Sequence, residues 1–80
     1  MNEKDAARIA LICATADGGC GPCVGSLYAQ LVQNWPQNNW HDHFVKAGTE
    51  HRYERYWKNE IKNWDEEARE ELEAMKRQEV

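Results

Sequence analysis

Two cysteines separated by two residues are the clearest chemical feature of the sequence. Cys20 and Cys23 enclose Gly21 and Pro22, and proline favours the first turn of a helix. A helix that begins there places both thiols near unpaired backbone N–H groups and the positive end of the helix dipole, which lowers the pKa of a thiol. The segment therefore predicts thiols that are suited to metal binding or to redox chemistry.

A third cysteine and a histidine complete a candidate zinc site. Three cysteines and one histidine satisfy the closed tetrahedral coordination of structural zinc. The predicted ligands are Cys13, Cys20, Cys23 and His41. Such a metal would stabilise a small domain. The competing interpretation is that the cysteines are simply packed in or near the core, where this residue type is common. The expected cofactor is therefore one structural zinc ion or none.

The tetrapeptide Cys20-Gly21-Pro22-Cys23 resembles the active-site motif of the thioredoxin family. The resemblance implies a thiol oxidoreductase, which is kept as a further alternative. That family places the motif after a strand of a βαβ unit, with a tryptophan directly before the first cysteine. This chain has Gly19 at that position and shows no parallel-sheet pattern. Because no other catalytic arrangement can be identified, the chain is predicted not to be an enzyme.

The cysteines lie in or between predicted helices, and the longest of these is the last. The other helices are expected to pack on it. Apolar residues recur at helical spacing at Tyr53, Trp57, Ile61, Trp64, Ala68, Leu72 and Met75. This spacing predicts one helix over residues 50–78, with Thr49 as its N-cap. The apolar stripe is about 33 Å long at 1.5 Å per residue. Three short helices do not readily cover it, so its end projects or pairs with a second copy in a homodimer.

Three shorter helices precede the long one. They are expected at residues 3–16, 22–34 and 40–47. Asn2 is a candidate N-cap of the first, and a buried strand is the competing interpretation of residues 8–15. Asn39 and Asp42 resemble a capping box, and Gly48 is expected to end the third helix. The predicted fold is a single all-α domain over residues 1–80, with three short helices packed on a long C-terminal helix.

The polar faces of the long helix are strongly charged. Opposite charges four residues apart occur at Glu54–Lys58, Lys62–Glu66, Asp65–Arg69 and Glu73–Arg77. Each such pair stabilises a helix by about 0.2–0.5 kcal/mol. Residues 65–80 carry seven acidic and three basic side chains, which indicates either a solvated face or a surface that binds a basic groove of a partner. The predicted partner contacts are Tyr56, Trp64, Glu66, Glu67, Glu70 and Glu71.

Composition narrows the class of partner. The net charge is −4 and the pI is about 5.3, which argues against direct nucleic-acid binding. Aromatic and basic residues do alternate over residues 51–62, a pattern that could stack on single strands, but part of it belongs to the apolar stripe. There is no apolar run long enough to cross a membrane, and residues 9–16 are too few for a signal peptide. A cytoplasmic location is therefore expected.

Residues 14–36 resemble segments of small phage-encoded proteins that inhibit host machinery, anti-CRISPR proteins among them. The similarity comprises the run from Ala14 to Cys20, then Cys23 and an amphipathic helix. It implies a protein that occludes a larger host protein or nucleoprotein complex. The leading hypothesis is therefore a non-enzymatic protein-binding inhibitor or regulator. A zinc-stabilised regulatory domain is the alternative.

Overall fold

The chain folds into four α-helices. The computed structural model describes residues 1–15, 21–50 and 54–78, excepting the side chains of residues 21 and 54–58. The helices are α1 (Glu3–Thr15), α2 (Gly21–Asn34), α3 (Trp40–Glu50) and α4 (Glu54–Gln78). No strand occurs in these ranges, and residues 8–15 belong to α1. The predicted all-α class and the long C-terminal helix are therefore confirmed.

The helices pack as two pairs. α2 lies along α4, α1 lies along α3, and the two pairs join mainly where α3 meets α4. α1 thus reaches the long helix through α3, whereas the sequence suggested that each short helix packs directly on α4. The buried side of α1 is formed by Ala6, Ala10 and Ala14, spaced four residues apart. These small side chains allow close approach of the neighbouring helix.

All four helices contribute to the core, and its largest side chains come from α2, α3 and α4. The largest fully buried side chains are Trp40, Tyr28, Phe44, Ile61, Val24 and Val32. The rings of Tyr28 and Phe44 pack edge to face, with centroids 4.9 Å apart and an interplanar angle of 63°. The indole N–H of Trp40 donates to the carbonyl of Trp35 at 2.8 Å. Aromatic packing and one satisfied buried donor thus fix α3 against the turn that precedes it.

Glu3 ties the start of α1 to the start of α3. Its carboxylate accepts hydrogen bonds from the side-chain amide of Asn38 and from the backbone N–H of Asn39 (3.2 Å). The ring Nε2 of His43 lies 3.1 Å from the same carboxylate. Asn38 is buried and also donates to the carbonyl of Met1 at 2.7 Å. The hydrogen bond from Asn38 is the largest cause of a lowered pKa for Glu3.

This network predicts a pH-dependent contribution of Glu3 to stability. Because its pKa is lowered by folding, the contribution is fully present above its ordinary value of 4.5 and is lost as the pH falls through the lower folded-state pKa. We expect Glu3→Gln to lower the melting temperature at pH near 7 and to lose this effect in strong acid. Circular-dichroism melts across pH measure it, with Glu70→Gln as the control for loss of one charge. If the Glu3→Gln variant lost the same melting temperature at every pH, the pH-dependent contribution of the Glu3 carboxylate would be contradicted.

The helix caps confirm one prediction and correct another. The side chain of Asn2 accepts a hydrogen bond from the backbone N–H of Asp5 at 2.8 Å, as expected for the N-cap of α1. Asn39 occupies the predicted N-cap position of α3, but the reciprocal capping box is wrong. The amide of Asn39 donates to the Asp42 carboxylate at 2.7 Å, and its backbone N–H bonds to Glu3. The Glu3 carboxylate of α1 therefore accepts the hydrogen bond from the Asn39 backbone N–H that the Asp42 carboxylate accepts in a capping box.

The boundary between α3 and α4 also differs from the prediction. Gly48 does not end α3, because the helix continues through it to Glu50 and buries it. Thr49 is not an N-cap of α4: it lies inside α3, and its hydroxyl donates to the carbonyl of Val45 at 2.9 Å. Burial of this turn outweighs the low helix propensity of glycine. α4 is described from Glu54, and residues 51–53 lie outside the described residues.

α2 and α4 approach each other closely at Gly25. A Cβ atom placed on this glycine would lie 2.8 Å from Nε1 and 2.9 Å from Cε2 of the Trp64 indole. The indole is a rigid ring that also packs near Tyr28, with the ring centroids 6.2 Å apart. A side chain at position 25 would therefore displace the indole.

We expect Gly25→Ala to destabilise the domain by about 1–2 kcal/mol, as overpacking usually does. The clash outweighs the helix-propensity gain, which is about 1 kcal/mol at most. Ser26→Ala is the matched control, since Ser26 is exposed on the same helix and the change should be neutral or slightly stabilising. Urea unfolding of both variants measures the difference. Stabilisation by Gly25→Ala would show that the two helices separate freely at this point.

The apolar stripe of α4 is covered along only part of its length. Ile61 and Ala68 are buried, Leu72 is half-buried, and Met75 is 46 % exposed. The molecule measures 43 × 24 × 18 Å, and the 25 residues of α4 span about 37 Å at 1.5 Å per residue. The last turns of α4 therefore carry apolar surface that the other described helices leave uncovered, and pairing with a second copy stays a prediction.

Candidate functional site

The structure separates the cysteines that it describes into different environments. Cys13 is buried in the hydrophobic core, and this burial raises the pKa of its thiol. Cys23 is exposed in the first turn of α2. α2 begins at Gly21, so the predicted position of the Cys-Gly-Pro-Cys segment at a helix start is confirmed for Cys23. Cys20 lies outside the described residues.

The predicted zinc ligands are not gathered within the described part of the chain. Across residues 1–15, 21–50 and 54–78, no three His, Cys, Asp or Glu side chains are grouped so that they could hold a metal ion. His41 lies near the start of α3, where its Nδ1 is 3.3 Å from the carboxylate of Asp42. This contact lowers the pKa of Asp42. Because Cys20 is outside these ranges, the four-residue zinc site stays a prediction.

A partly buried polar network connects α2, α4 and the turn after α2. The hydroxyl of Tyr28 donates to Oδ1 of Asp65 at 2.5 Å, and Nε of Arg69 lies 3.2 Å from both Asp65 oxygens. A second guanidinium nitrogen of Arg69 donates to the carbonyl of Pro36 at 3.1 Å. Burial raises the pKa of Tyr28 well above its ordinary value, and the bond to Asp65 raises it further. The tyrosine therefore stays protonated and acts as a structural donor.

Two of the four ion pairs predicted on α4 are present in the structure. Asp65–Arg69 is present at 3.2 Å and Glu73–Arg77 at 3.8 Å, so both predictions are confirmed. Within the described residues, Lys62 and Glu66 form no ion pair. The side chains of Glu54 and Lys58 lie outside the described set. Glu66 consequently displays its carboxylate to solvent.

The predicted partner contacts lie on different sides of α4. Glu66 and Glu70 are exposed on its outward side, and Glu67 is exposed on the side where Pro22 of α2 lies. Glu71 is exposed beside α2, where its carboxylate is 3.4 Å from the side-chain amide of Gln33. Trp64 is half-buried and packed against the core, so only part of its indole is accessible to a partner. The side chain of Tyr56 lies outside those that the structure describes.

A groove runs between the start of α2 and the middle of α4. Its volume is about 300 Å³, and its lining residues are Pro22, Glu60, Asn63, Trp64 and Glu67. Sequence reasoning selected Trp64 and Glu67 but missed the other three. Glu60 lies four residues before Trp64 and Asn63 lies four residues before Glu67, a helical spacing that could have revealed both.

The comparisons with known proteins add no family. No family model matches the chain, and neither a curated protein nor a solved structure matches it. None of the described helices combines the length and apolar character needed to cross a membrane.

Proposed function

We propose that this chain is a non-enzymatic protein-binding module whose acidic α4 surface binds a basic surface of a larger protein or complex. The acidic α4 surface is defined as Glu66, Glu67, Glu70 and Glu71. The observation that carries the proposal is the arrangement of these residues: four exposed carboxylates within six residues of one helix. No described basic side chain forms an ion pair with any of them.

The helix beneath these carboxylates supports their use in recognition. Ile61 and Ala68 anchor α4 in the core, and Asp65 with Arg69 fixes it against α2 and the following turn. The backbone that carries the charges is therefore held before binding, which reduces the conformational entropy lost on association. Clustered charge of one sign mainly raises the association rate and selects partners of opposite charge. Binding should consequently weaken as salt is added.

An inhibitory role is the form of this function that the sequence supports best. The resemblance of residues 14–36 to small phage-encoded inhibitors motivates the idea. A domain of this size with exposed carboxylates clustered on one helix acts most simply by covering a basic surface that the target needs. In this proposal the target is a host protein or nucleoprotein complex, as for anti-CRISPR proteins, and the chain performs no reaction.

Charge reversal tests the proposal. A partner captured from host lysate with the unmodified chain is purified, and its affinity for two double variants is measured. Glu66→Lys/Glu70→Lys should weaken binding at least about tenfold, because opposite charge is replaced by like charge at the interface. Asp5→Lys/Glu50→Lys makes the same change in net charge at exposed positions on α1 and α3 and should change the affinity by less than about threefold.

Fold integrity is checked by thermal melting of both variants. Equal losses of affinity in the two variants would show a response to net charge alone, and unchanged affinity in the α4 variant would remove the acidic α4 surface from the interface. Either result contradicts the proposal.

A further inference from the structure

The groove between α2 and α4 has the dimensions of a site for one side chain. Its volume of about 300 Å³ is at the lower end of the roughly 300–1,000 Å³ that is usual for pockets that enclose whole small molecules. It opens beside the acidic α4 surface, since Glu67 belongs to both. A partner seated on that surface therefore brings its own side chains over the groove.

The order of residues along the groove places an aromatic ring between two carboxylates. Glu60, Trp64 and Glu67 are separated by four and three residues, so they follow one another on the same side of α4. The two glutamates begin about 10 Å apart along the helix axis. Asn63 adds an amide group on the same wall. The groove therefore has a carboxylate-bearing residue on each side of the tryptophan along the helix.

The Trp64 indole is held in position by contacts with α2. Gly25 on α2 approaches its Nε1 edge, and the ring also packs near Tyr28. Trp64 is nevertheless only half-buried, and it lines the groove. The groove therefore combines a fixed aromatic surface with two negative charges.

We propose that this groove binds an arginine side chain carried by a basic segment of the partner. The inference rests on the proposed function and names the chemistry that its interface recognises. A guanidinium group can stack on the indole while its N–H groups donate to a carboxylate in fixed geometry, which a lysine ammonium does less well.

The positive end of the α2 helix dipole disfavours a cation in the groove, but only weakly. Pro22 lies in its first turn, where the helix dipole carries roughly half a positive charge. Glu60 and Glu67 together carry two full negative charges in the same groove. The local balance therefore favours a cationic side chain, in agreement with the net charge of −4 for the whole chain.

Short blocked peptides that differ at one central residue test the proposal directly. The central residue is arginine, lysine or citrulline, the last being a neutral analogue of arginine. Binding is followed through the Trp64 indole N–H resonance in a two-dimensional NMR titration. We expect the arginine peptide to shift this resonance with saturation, and the citrulline peptide to bind about tenfold more weakly because it lacks the charge.

Matched variants separate the groove from the general surface charge. Glu60→Gln/Glu67→Gln should weaken the arginine peptide about tenfold, whereas Glu66→Gln/Glu70→Gln removes equal charge from the outward side and should change its affinity by less than about twofold. Equal weakening by both pairs of substitutions would overturn the proposed arginine site in the groove, and the proposed role of the acidic α4 surface would stand. Equal binding of arginine and citrulline peptides, or no shift of the Trp64 resonance, would also overturn it. The charge-reversal experiment above decides the proposed function independently.

Discussion

Replacing Trp40 by alanine should abolish most of the stability of this domain. The side chain is fully buried, and truncation of a buried tryptophan costs about 3–5 kcal/mol. The carbonyl of Trp35 also loses the indole donor that lies 2.8 Å away, which adds about 1 kcal/mol. A chain of 80 residues has a total unfolding free energy of roughly 4–12 kcal/mol at usual values per residue. The variant is therefore expected to be largely unfolded or to melt at much lower temperature.

The neighbouring tryptophan supplies the control. Trp35 is 37 % exposed, so Trp35→Ala should cost about 2 kcal/mol, well below the loss expected for Trp40→Ala. Trp40→Phe keeps most of the buried ring and loses the donor, and an intermediate loss of about 1–3 kcal/mol is expected. Urea unfolding monitored by circular dichroism measures all three. If the alanine variants at positions 35 and 40 were equally stable, the core would not be centred on α3 as described.

Replacing Asp65 by alanine should have the second largest effect. The change leaves the hydroxyl of Tyr28 without its acceptor in the core and removes the carboxylate that holds Arg69. Loss of a partner for a buried donor costs about 1–3 kcal/mol. Arg69 is 41 % exposed, so solvent screening reduces the ionic part, and we expect about 2–3 kcal/mol in total.

A double-mutant cycle isolates the buried hydrogen bond. Tyr28→Phe and Asp65→Ala should couple by about 1–2 kcal/mol, because each removes the same contact. Glu73→Ala is the control: it breaks the ion pair with Arg77, in which both side chains are largely exposed, and should cost less than about 0.5 kcal/mol. A coupling energy of zero between Tyr28 and Asp65, measured by urea unfolding, would show that the hydroxyl finds another partner.

Spacing along the sequence was sufficient to predict the long helix. Steps of three and four between Ile61, Trp64, Ala68 and Leu72 identify the side of α4 that the structure places inward. The same local rules predicted the cap at Asn2 and the ion pair between neighbouring turns at Asp65. These features depend on residues within one or two turns, which is the range that sequence patterns describe well.

Features that depend on distant residues could not be predicted in this way. Gly48 is a helix-ending signal by local rules, but it is buried inside α3 because the surrounding helices cover that turn. The carboxylate that caps α3 comes from Glu3, which is 36 residues away. Pro22 and Glu60 meet in the groove only after α2 and α4 have paired. In each case the partner is selected by the fold and is absent from the local pattern.

The alternating order of helix partners has a consequence for biosynthesis. α1 pairs with α3 and α2 pairs with α4. Neither pair can therefore form until the helix two places later in the chain has been translated. Tyr28 leaves the ribosome well before Asp65, its hydrogen-bond acceptor on α4. A nascent chain that ends within α3 therefore cannot complete the core. The core should therefore fold only after α4 has left the ribosome, and the apolar segments of the first three helices should be accessible to chaperones until then.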